Sequence, residues 1–411
     1  MSVTPLARAV PVVPAIHQAL RRGVDEEVFP GGATAVFLQG KLVHLSATGD
    51  AQTLPERVPL KPDAHFDLAS LTKVLGTTAA AVLLVGRRQL ELDDPVVRFW
   101  PEFGRGGKKS VTLRHLLAHC SGLPAFKPYF LEVLKDAGAA QLFREESGFR
   151  ARMSACRRGR TVVLDAVRSE KLEREPGTQV VYSDLGFIAL GRVLETISGE
   201  RLDQLLAHEV HPPLGLKSLA FRPLDERAHE VPQLVATGVR RPREPAPGQE
   251  DLFPTPDPGL SPRVHLGEVD DDNAFAMGGV AGHAGLFGPA RAVAAFGNAV
   301  LEDLDGAARL ASKETWVAFC RRDTTPGTSR ALGFDTPAGE SPASGALMAA
   351  SQTIGHTGFT GTSLWIDLSR KLCVALLTNR THPTRANLRI RAFRPAFHDA
   401  VVEALDLVQI R

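Results

Sequence analysis

Apolar and polar positions follow different patterns at the two ends of the chain and in its middle. Residues 14–27 carry apolar positions at helical spacing and predict an amphipathic helix, and residues 31–49 predict two strands joined at Gly40. Near the other end, residues 356–380 predict two strands around a tight turn. The second of them, CVALLT, is almost wholly apolar, which is typical of a central strand. A last helix is predicted over about residues 386–406.

Between these ends the pattern is helical. Apart from the apolar run that follows Ser70, helices are predicted at 111–119 with Thr112 as N-cap, and at 130–172, 185–199, 201–215 and about 290–303. Strands at both ends and helices between them indicate a sheet built from both termini, with a helical region inserted. The fold class is therefore α+β.

The chain has 411 residues, and we expect a single catalytic unit over residues 1–411. Within it, an α/β lobe is expected over about 14–70 plus 275–411, and a helical lobe over about 71–239. Residues 240–263 are dense in proline and charge and predict a surface loop. Such a loop either forms the rim of a site or is disordered, and composition leaves both open.

Composition narrows the class of protein. Hydrophobic residues make up 44% of the chain and the formal net charge is +2, so we expect no nucleic-acid partner. The four cysteines are far apart and form no C-x-x-C, which predicts neither a metal nor a disulfide framework. The N-terminal segment lacks a signal-peptide pattern and no stretch is apolar enough for a membrane span. We therefore expect a cytoplasmic protein, and its oligomeric state is left open.

Residues 66–73 read FDLASLTK and contain the spacing S-x-x-K. If Ser70 opens a helix, Lys73 lies one turn further on the same face, because side chains three apart on a helix are neighbours. An amine beside a hydroxyl can make it a nucleophile, and the helix N-terminus offers N–H groups to an oxyanion. The motif alone also fits a capped surface helix, but the apolar run after it favours a buried one.

A second candidate is the sequence YSD at residues 182–184. In extended chain Tyr182 and Asp184 share one face and could both point into one cleft. A phenol beside a lysine can act as a base if the cation lowers its pKa. The other interpretation is a buried tyrosine with one hydrogen bond and Asp184 as a helix cap.

A third candidate is the sequence HTGF, which begins the late hairpin. Gly358 permits close approach of another backbone, Thr357 offers a hydroxyl, and His356 titrates near neutrality. The backbone N–H of Phe359 could donate to an oxyanion. An ordinary strand with a hydrogen-bonded histidine explains the same residues equally well.

Taken in order, S-x-x-K, Y-S-[ND] and [KH]-T-G resemble the serine β-lactamase and penicillin-binding-protein superfamily, specifically its class C β-lactamase-like hydrolases. The resemblance extends over about residues 15–405 and includes the stretches 90–103, 111–124, 175–195 and 355–367. Two further runs, 267–287 and 376–385, resemble a subgroup associated with cell-wall peptide turnover.

The resemblance implies an antiparallel sheet flanked by helices, an inserted, mostly helical lobe, and a site in the cleft between them. It implies that Ser70 is acylated, that Lys73 and Tyr182 form its base system, and that the backbone N–H groups of Ser70 and Phe359 form the oxyanion hole. It implies no metal or organic cofactor. The substrate-binding residues it implies are Asp184, His356, Thr357 and Gly358.

Two positions depart from the family pattern. Asp184 stands where the family usually has Asn, and a carboxylate near Lys73 favours the charged lysine. Proton abstraction should then shift to Tyr182, with its pKa lowered by the cation. His356 stands where β-lactamases usually have Lys, and a partial cation at pH 7 holds a substrate carboxylate less firmly. Strong β-lactamase activity is therefore not expected.

Several other polar residues are weaker site candidates. His283 lies in a glycine-rich run and either lines the cleft or only binds backbone. His115 and His119 have a metal-like i, i+4 spacing but no H-E-x-x-H, so no metal is predicted. Residues 270–272 lack the spacing of an EF-hand and are expected in a turn at the cleft rim. Cys120 is expected to be a small buried residue.

The residues and the resemblance together predict a serine hydrolase that acts through an acyl-enzyme on Ser70. Its substrates would be small molecules with amide or ester bonds: small cell-wall-type peptides, as for a D-amino-acid peptidase or carboxypeptidase, esters, or weakly β-lactams. The alternative is a non-catalytic regulatory protein that binds a muropeptide or a β-lactam-like ligand.

Overall fold

A computed structural model of the protein describes residues 10–144, 149–226, 230–239, 264–349 and 351–406, together with residues 243, 245, 247 and 248. Most of the loop predicted over 240–263 lies outside the described residues. The strands in this part of the chain are β1 (Gly31–Leu38), β2 (Lys41–Gln52), β3 (Val58–Pro59), β4 (Phe66–Asp67), β5 (Ala220–Phe221), β6 (Ala236–Gly238), β7 (His265–Leu266), β8 (Leu286–Gly288), β9 (Thr353–Thr357), β10 (Ser363–Asp367) and β11 (Leu372–Thr378).

The α-helices are α1 (Pro14–Asp25), α2 (Ala79–Gly86), α3 (Leu113–Leu117), α4 (Phe130–Lys135), α5 (Phe149–Ser169), α6 (Asp184–Ser198), α7 (Leu202–Leu205), α8 (Asp272–Ala276), α9 (Ala290–Leu304), α10 (Lys313–Cys320) and α11 (Ile390–Ala404). Short π- and 3₁₀-helical segments accompany them at Lys73–Thr78, Val96–Arg98, Pro101–Ser110, Ala139–Phe143 and Leu206–Val210. None of the helices in the described ranges combines the length and the apolar character that a bilayer crossing requires.

The largest sheet has six antiparallel strands in the order β3-β2-β1-β11-β10-β9. β1 and β2 form the predicted hairpin around Gly40. β11 lies between β1 and β10, with Ala375 opposite Ala35, and every residue of β11 is buried. The prediction of a sheet built from both ends of the chain, with CVALLT at its centre, is therefore confirmed.

Both faces of this sheet are covered, because alternate residues of its central strands enter different cores. Val374 and Leu376 pack in one core with residues of α1 and α11. Cys373 and Ala375 point the other way into the larger core, on the side where α9 contacts β1 and β11. A strand buried on both faces is apolar throughout rather than alternating, which explains the composition of β11.

Two helices begin or end where the local sequence predicts it. The Thr112 hydroxyl accepts a hydrogen bond from the His115 N–H and caps α3, as predicted. α6 ends at Gly199, whose φ of 74° places it in the left-handed region that favours glycine. Most of the described part of residues 130–172 is helical, as the pattern predicts, and it is divided among α4, a 3₁₀ segment and α5.

The hairpin predicted around residues 368–371 is confirmed, because β10 and β11 pair on either side of that turn, but its predicted start at His356 is wrong. His356 and Thr357 end β9 rather than begin a hairpin, and Gly358 lies in the turn to β10. Polar and glycine residues in TIGHT give little strand signal, but pairing with β10 places β9 at the sheet edge. Phe359 accordingly lies in a turn and not in a strand.

Candidate active site

Ser70 lies where a short strand turns into a buried helix. β4 pairs with β8 and leads into this turn. Ala69 has a φ of 48°, which is uncommon for a residue with a side chain. Its N–H donates to Asp67 Oδ1 at 2.8 Å, which holds the unusual conformation. Ser70 therefore begins the helix that carries Lys73, in the arrangement that the S-x-x-K spacing predicts.

Lys73 connects the nucleophile candidate to the rest of the site. Its side chain is fully buried, and Nζ donates to Ser70 Oγ at 3.0 Å, Asp184 Oδ1 at 2.7 Å and the His283 carbonyl at 3.2 Å. Burial disfavours the ammonium, but the charge and hydrogen bonds of Asp184 and Tyr182 outweigh it and raise the pKa of Lys73. Lys73 is therefore the cation of the site, as the carboxylate at position 184 indicated.

The Tyr182 phenol lies beside Lys73 and Ser70, with Lys73 Nζ 4.9 Å from the centre of its ring, and interacts with both residues. Burial raises its pKa, and the Lys73 charge acts in the opposite direction without cancelling the effect. The expectation that the cation lowers the pKa of Tyr182 below its ordinary value is thus wrong. The partial removal of the half-buried phenol from water prevails, because the Asp184 carboxylate offsets part of the Lys73 charge.

The YSD segment is held by the protein around it. Ser183, and not Asp184, caps α6, because its hydroxyl accepts a hydrogen bond from the Gly186 N–H. The Ser183 N–H donates to His119 Nδ1 at 3.0 Å, and the His119 ring lies 4.6 Å from the Tyr182 ring. Tyr182 and Asp184 therefore both reach Lys73 from one rigid segment.

His356 is buried, and its Nδ1 lies 2.7 Å from the Thr357 carbonyl. Burial, followed by the positive charges of Lys73 and Arg330, holds the pKa of His356 well below its usual range. The expected partial cation is therefore a neutral imidazole at pH 7. This removes the positive charge that a lysine at this position would offer to a substrate carboxylate.

We expect the pH profile of the protein to show no inflection from His356 near pH 6.5. A histidine with a depressed pKa is already neutral there and becomes protonated only in more acidic solution. Profiles of kcat/KM for wild type and His356→Gln between pH 5.5 and 8 should therefore have the same shape. An inflection near 6.5 that disappears in His356→Gln would contradict this prediction.

The turn after β9 lies against the nucleophile segment. The Thr360 hydroxyl donates to the Asp67 carbonyl at 2.8 Å, and the Thr362 hydroxyl donates to the Leu68 carbonyl at 3.1 Å. These two bonds bring the backbone around Phe359 beside the backbone before Ser70. The two N–H groups implied for the oxyanion hole are thus carried by segments joined directly to each other.

Gly358 is the point of closest approach in this contact. A Cβ at this position would lie 2.0 Å from Thr362 Oγ1 and 2.7 Å from the Leu68 carbonyl oxygen. Since the latter is backbone, the clash cannot be relieved by a rotamer change alone. Only glycine fits here without moving the turn away from Ser70.

We expect Gly358→Ala to lower kcat about 100-fold while the protein remains folded, because displacement of the turn removes one oxyanion donor. Steady-state kinetics together with thermal unfolding would measure both effects. The matched control is Gly40→Ala, where a Cβ would meet nothing within 4 Å although φ is 81°. Wild-type kcat in Gly358→Ala would show that the contact has no role in turnover.

The cleft in front of Ser70 has a volume of about 410 Å³. The residues predicted for catalysis and substrate binding, apart from Lys73, line it: Ser70, Tyr182, Asp184, His356, Thr357 and Gly358, together with Phe359, which is 39% exposed. The cleft also contains basic side chains that no sequence motif singles out: Arg330, Arg380, Arg385, Arg391 and Arg394. Arginine is abundant throughout this chain, so composition gave no reason to choose these five, although Arg380 and Arg385 fall in the run 376–385.

The remaining candidates have structural partners. His283 Nε2 lies 2.9 Å from Asp271 Oδ1, both residues line the cleft, and Asp271 caps α8. His115 Nδ1 accepts a hydrogen bond from the Thr112 N–H at the start of α3, and Cys120 is buried. Within the ranges that the structure describes, no group of three or more His, Cys, Asp or Glu side chains could hold a metal ion.

Comparisons with known proteins agree with this architecture. A family model described as Beta-lactamase matches residues 16–395. A protein of Escherichia coli O157:H7 named "Putative D-alanyl-D-alanine carboxypeptidase" is 29% identical over 88% of this chain and 81% of its own length. The predicted resemblance to the β-lactamase and penicillin-binding-protein superfamily is confirmed.

Two solved structures share the fold. A penicillin-binding-protein homologue from Caulobacter crescentus has a TM-score of 0.66 and 19% identity, covering 98% of this chain and 100% of its own. A hydrolase with promiscuous acyltransferase activity also has a TM-score of 0.66 and 19% identity, covering 94% of this chain and 97% of its own. The predicted α+β fold of the β-lactamase and transpeptidase type is therefore confirmed.

Proposed function

Because the chain belongs to the beta-lactamase family, whose fold and relatives indicate a serine hydrolase, we propose that it hydrolyses amide or ester bonds of small molecules through an acyl-enzyme on Ser70. The observation that carries the proposal is the contact of Lys73 Nζ with Ser70 Oγ at 3.0 Å, beside the Tyr182 phenol, whose ring centre lies 4.9 Å from Lys73 Nζ. A hydroxyl held by an amine and a phenol is arranged for proton removal.

In the first step, Ser70 Oγ attacks the substrate carbonyl carbon while its proton passes to the phenolate form of Tyr182. Lys73 remains protonated, because its pKa is raised, and its charge stabilises the phenolate. The carbonyl oxygen becomes an oxyanion that accepts hydrogen bonds from the N–H groups of Ser70 and Phe359. Return of the proton from Tyr182 to the leaving group completes acylation.

In the second step, water attacks the acyl carbon and gives a proton to the Tyr182 phenolate, and Ser70 leaves with that proton. The same base system thus serves both halves of the reaction. No metal or organic cofactor takes part in this scheme. Its rate depends on how often Tyr182 is ionised, since burial raises the pKa of the phenol.

The substrate class follows from the groups that face the cleft. A neutral His356 gives a substrate carboxylate no direct charge at that position, which disfavours strong β-lactamase activity. Small D-amino-acid peptides of the cell-wall type remain the preferred substrates, supported by the name of the Escherichia coli relative. Where such a peptide ends in a carboxylate, a cleft arginine such as Arg330, and not His356, would have to bind it. Esters are the second class, because a better leaving group needs less help from the protonated phenol.

The proposal is tested by labelling and by a substrate panel. Incubation of the wild-type protein with a fluorophosphonate, followed by intact-mass measurement and peptide mapping, should give a single adduct on Ser70. p-Nitrophenyl esters, D-amino-acid amides, muropeptides and nitrocefin should then rank the substrate classes. A protein that binds muropeptides but neither labels nor turns over any of these compounds would instead be the non-catalytic ligand-binding protein.

A further inference from the structure

The amide between Gly358 and Phe359 presents its N–H to the cleft as a proposed donor, and its C=O is bound by other groups of the protein. Its N–H is the proposed second donor of the oxyanion hole. Its C=O, that of Gly358, accepts a hydrogen bond from Arg394 Nη2 and another from the Gly361 N–H at 3.1 Å. The next carbonyl, that of Phe359, accepts from Arg380 Nε at 2.6 Å. Two guanidinium groups therefore bind the carbonyls on either side of the Phe359 nitrogen.

Arg394 lies beside the Gly358 carbonyl without a carboxylate partner among the described residues. Its Nε is buried and has no hydrogen-bond partner in the part of the chain that the structure describes. Burial, followed by the neighbouring charge of Arg380, lowers the pKa of Arg394 to about 9, so it remains charged at neutral pH. A half-buried cation without a counter-ion is costly, since part of its hydration is lost without compensation.

We propose that Arg394 is a positioning residue that polarises the Gly358–Phe359 amide and thereby strengthens the Phe359 N–H as an oxyanion donor. A cation on the carbonyl oxygen draws electron density from the amide nitrogen, which makes the N–H a better donor. The benefit grows as negative charge develops on the substrate oxygen, so it favours the transition state over the bound substrate. This inference rests on the proposed function of Ser70.

The second contact of Arg394 supports this assignment. Its Nη2 also donates to the Thr362 carbonyl at 3.1 Å, and that carbonyl accepts from the Gly358 N–H at 2.7 Å. Arg394 thus fixes both ends of the short turn that carries Phe359. The same turn is tied to the nucleophile segment through the Thr360 and Thr362 hydroxyls. Its donor is therefore preorganised as well as polarised.

The other role open to an arginine at this cleft is to bind a substrate carboxylate. The two roles differ in what they change. A carboxylate-binding arginine acts on substrates that carry a carboxylate, and its loss raises KM for those alone. A polarising arginine acts on every substrate with a reacting carbonyl, and its loss lowers kcat whatever the charge of the substrate.

The test compares Arg394→Met and Arg394→Lys with wild type on a matched pair of p-nitrophenyl esters, one neutral and one with a carboxylate. We expect Arg394→Met to lower kcat about 10- to 100-fold on both esters, less than the 10²–10³ for loss of a donor itself, with KM changed less than twofold. Arg394→Lys should regain part of the rate, because an ammonium can still donate to Gly358. Arg389→Met is the control, since Arg389 is exposed and its Nη1 donates to the Glu26 carbonyl.

The infrared stretching frequency of the acyl-enzyme carbonyl reports the strength of the oxyanion hydrogen bonds. It therefore distinguishes a weaker donor from a simple loss of packing. A weaker oxyanion hydrogen bond raises this frequency. The frequency should therefore be highest in Arg394→Met, lower in Arg394→Lys and lowest in wild type. If Arg394→Met does not fold, the kcat and the frequency of Arg394→Lys decide the question. Unchanged kcat and frequency, or a KM increase limited to the carboxylate ester, would overturn the inference.

The same series separates this inference from the proposed function. Ser70→Ala, measured in parallel, must lose turnover if Ser70 is the nucleophile. Loss of turnover in Ser70→Ala together with wild-type kinetics in Arg394→Met would refute only the role of Arg394. Retained turnover in Ser70→Ala would refute the proposed function itself.

Discussion

Replacing Ser70 by alanine should abolish turnover, with kcat reduced by about 10⁴- to 10⁶-fold for every hydrolysed substrate. The variant keeps the cleft and both oxyanion N–H groups, because these belong to the backbone. It lacks the atom that attacks the carbonyl carbon, and without an acyl-enzyme only the weak effects of binding and oxyanion stabilisation remain. Substrate binding, measured by calorimetry, should therefore survive while hydrolysis does not.

The control for this prediction is Ser110→Ala, at an exposed serine that does not line the cleft. It should have wild-type kinetics and accept one fluorophosphonate adduct, whereas Ser70→Ala should accept none. Activity in Ser70→Ala at more than about one hundredth of the wild-type rate would require a different nucleophile. It would also exclude an acyl-enzyme formed on Ser70.

Replacing Tyr182 by phenylalanine should slow acylation by about 10²- to 10⁴-fold, the range typical of a lost general base. The phenol interacts with both Lys73 and Ser70, and Lys73 is a poor base because its pKa is raised. Since burial also raises the pKa of Tyr182, wild-type kcat/KM should increase with pH through the alkaline range. The increase should be absent in Tyr182→Phe, as stopped-flow acylation measurements across pH would show.

The chain has only two tyrosines, which provides a matched control. The Tyr129 hydroxyl donates to Glu170 Oε2 at 2.8 Å, and Tyr129 does not line the cleft. Tyr129→Phe should lose about 1 kcal/mol of stability and keep wild-type kinetics. In that background the ultraviolet absorbance of tyrosinate reports Tyr182 alone, so its ionisation can be compared directly with the pH profile.

Asp184→Asn should slow acylation by only about tenfold, because an amide oxygen can still accept a hydrogen bond from Lys73 Nζ. Loss of the carboxylate removes the charge that keeps Lys73 protonated, and burial then lowers the pKa of Lys73. A less basic Lys73 can take over part of the proton transfer from Tyr182. Equal losses in Asp184→Asn and Tyr182→Phe, or a harmless Tyr182→Phe, would contradict this division of roles.

The central elements of the fold were predictable because their signals are local or nearly so. The hairpin around Gly40, the cap at Thr112 and the helix stop at Gly199 each depend on a few neighbouring residues. β11 was predictable as a central strand because a strand buried on both faces must be apolar throughout. β9 was missed because its pairing with β10, and not its own composition, makes it a strand.

In the candidate site, too, local spacing predicts some of the residues and not others. The proximity of Ser70 and Lys73 followed from helical spacing, and the shared direction of Tyr182 and Asp184 followed from their separation by two residues. The arginines of the cleft could not be selected, because arginine is frequent throughout the chain and no motif distinguishes Arg330 or Arg394.

The sequence by itself determined which side chains could carry the chemistry and in what order along the chain they occur. Only the tertiary structure decided their charge states: a protonated Lys73, a neutral His356 and a phenol whose pKa burial raises. Spacing along a helix or strand is set by backbone geometry within a few residues. Protonation depends on the removal of water and on charges brought from distant parts of the chain, and these exist only once the molecule is folded.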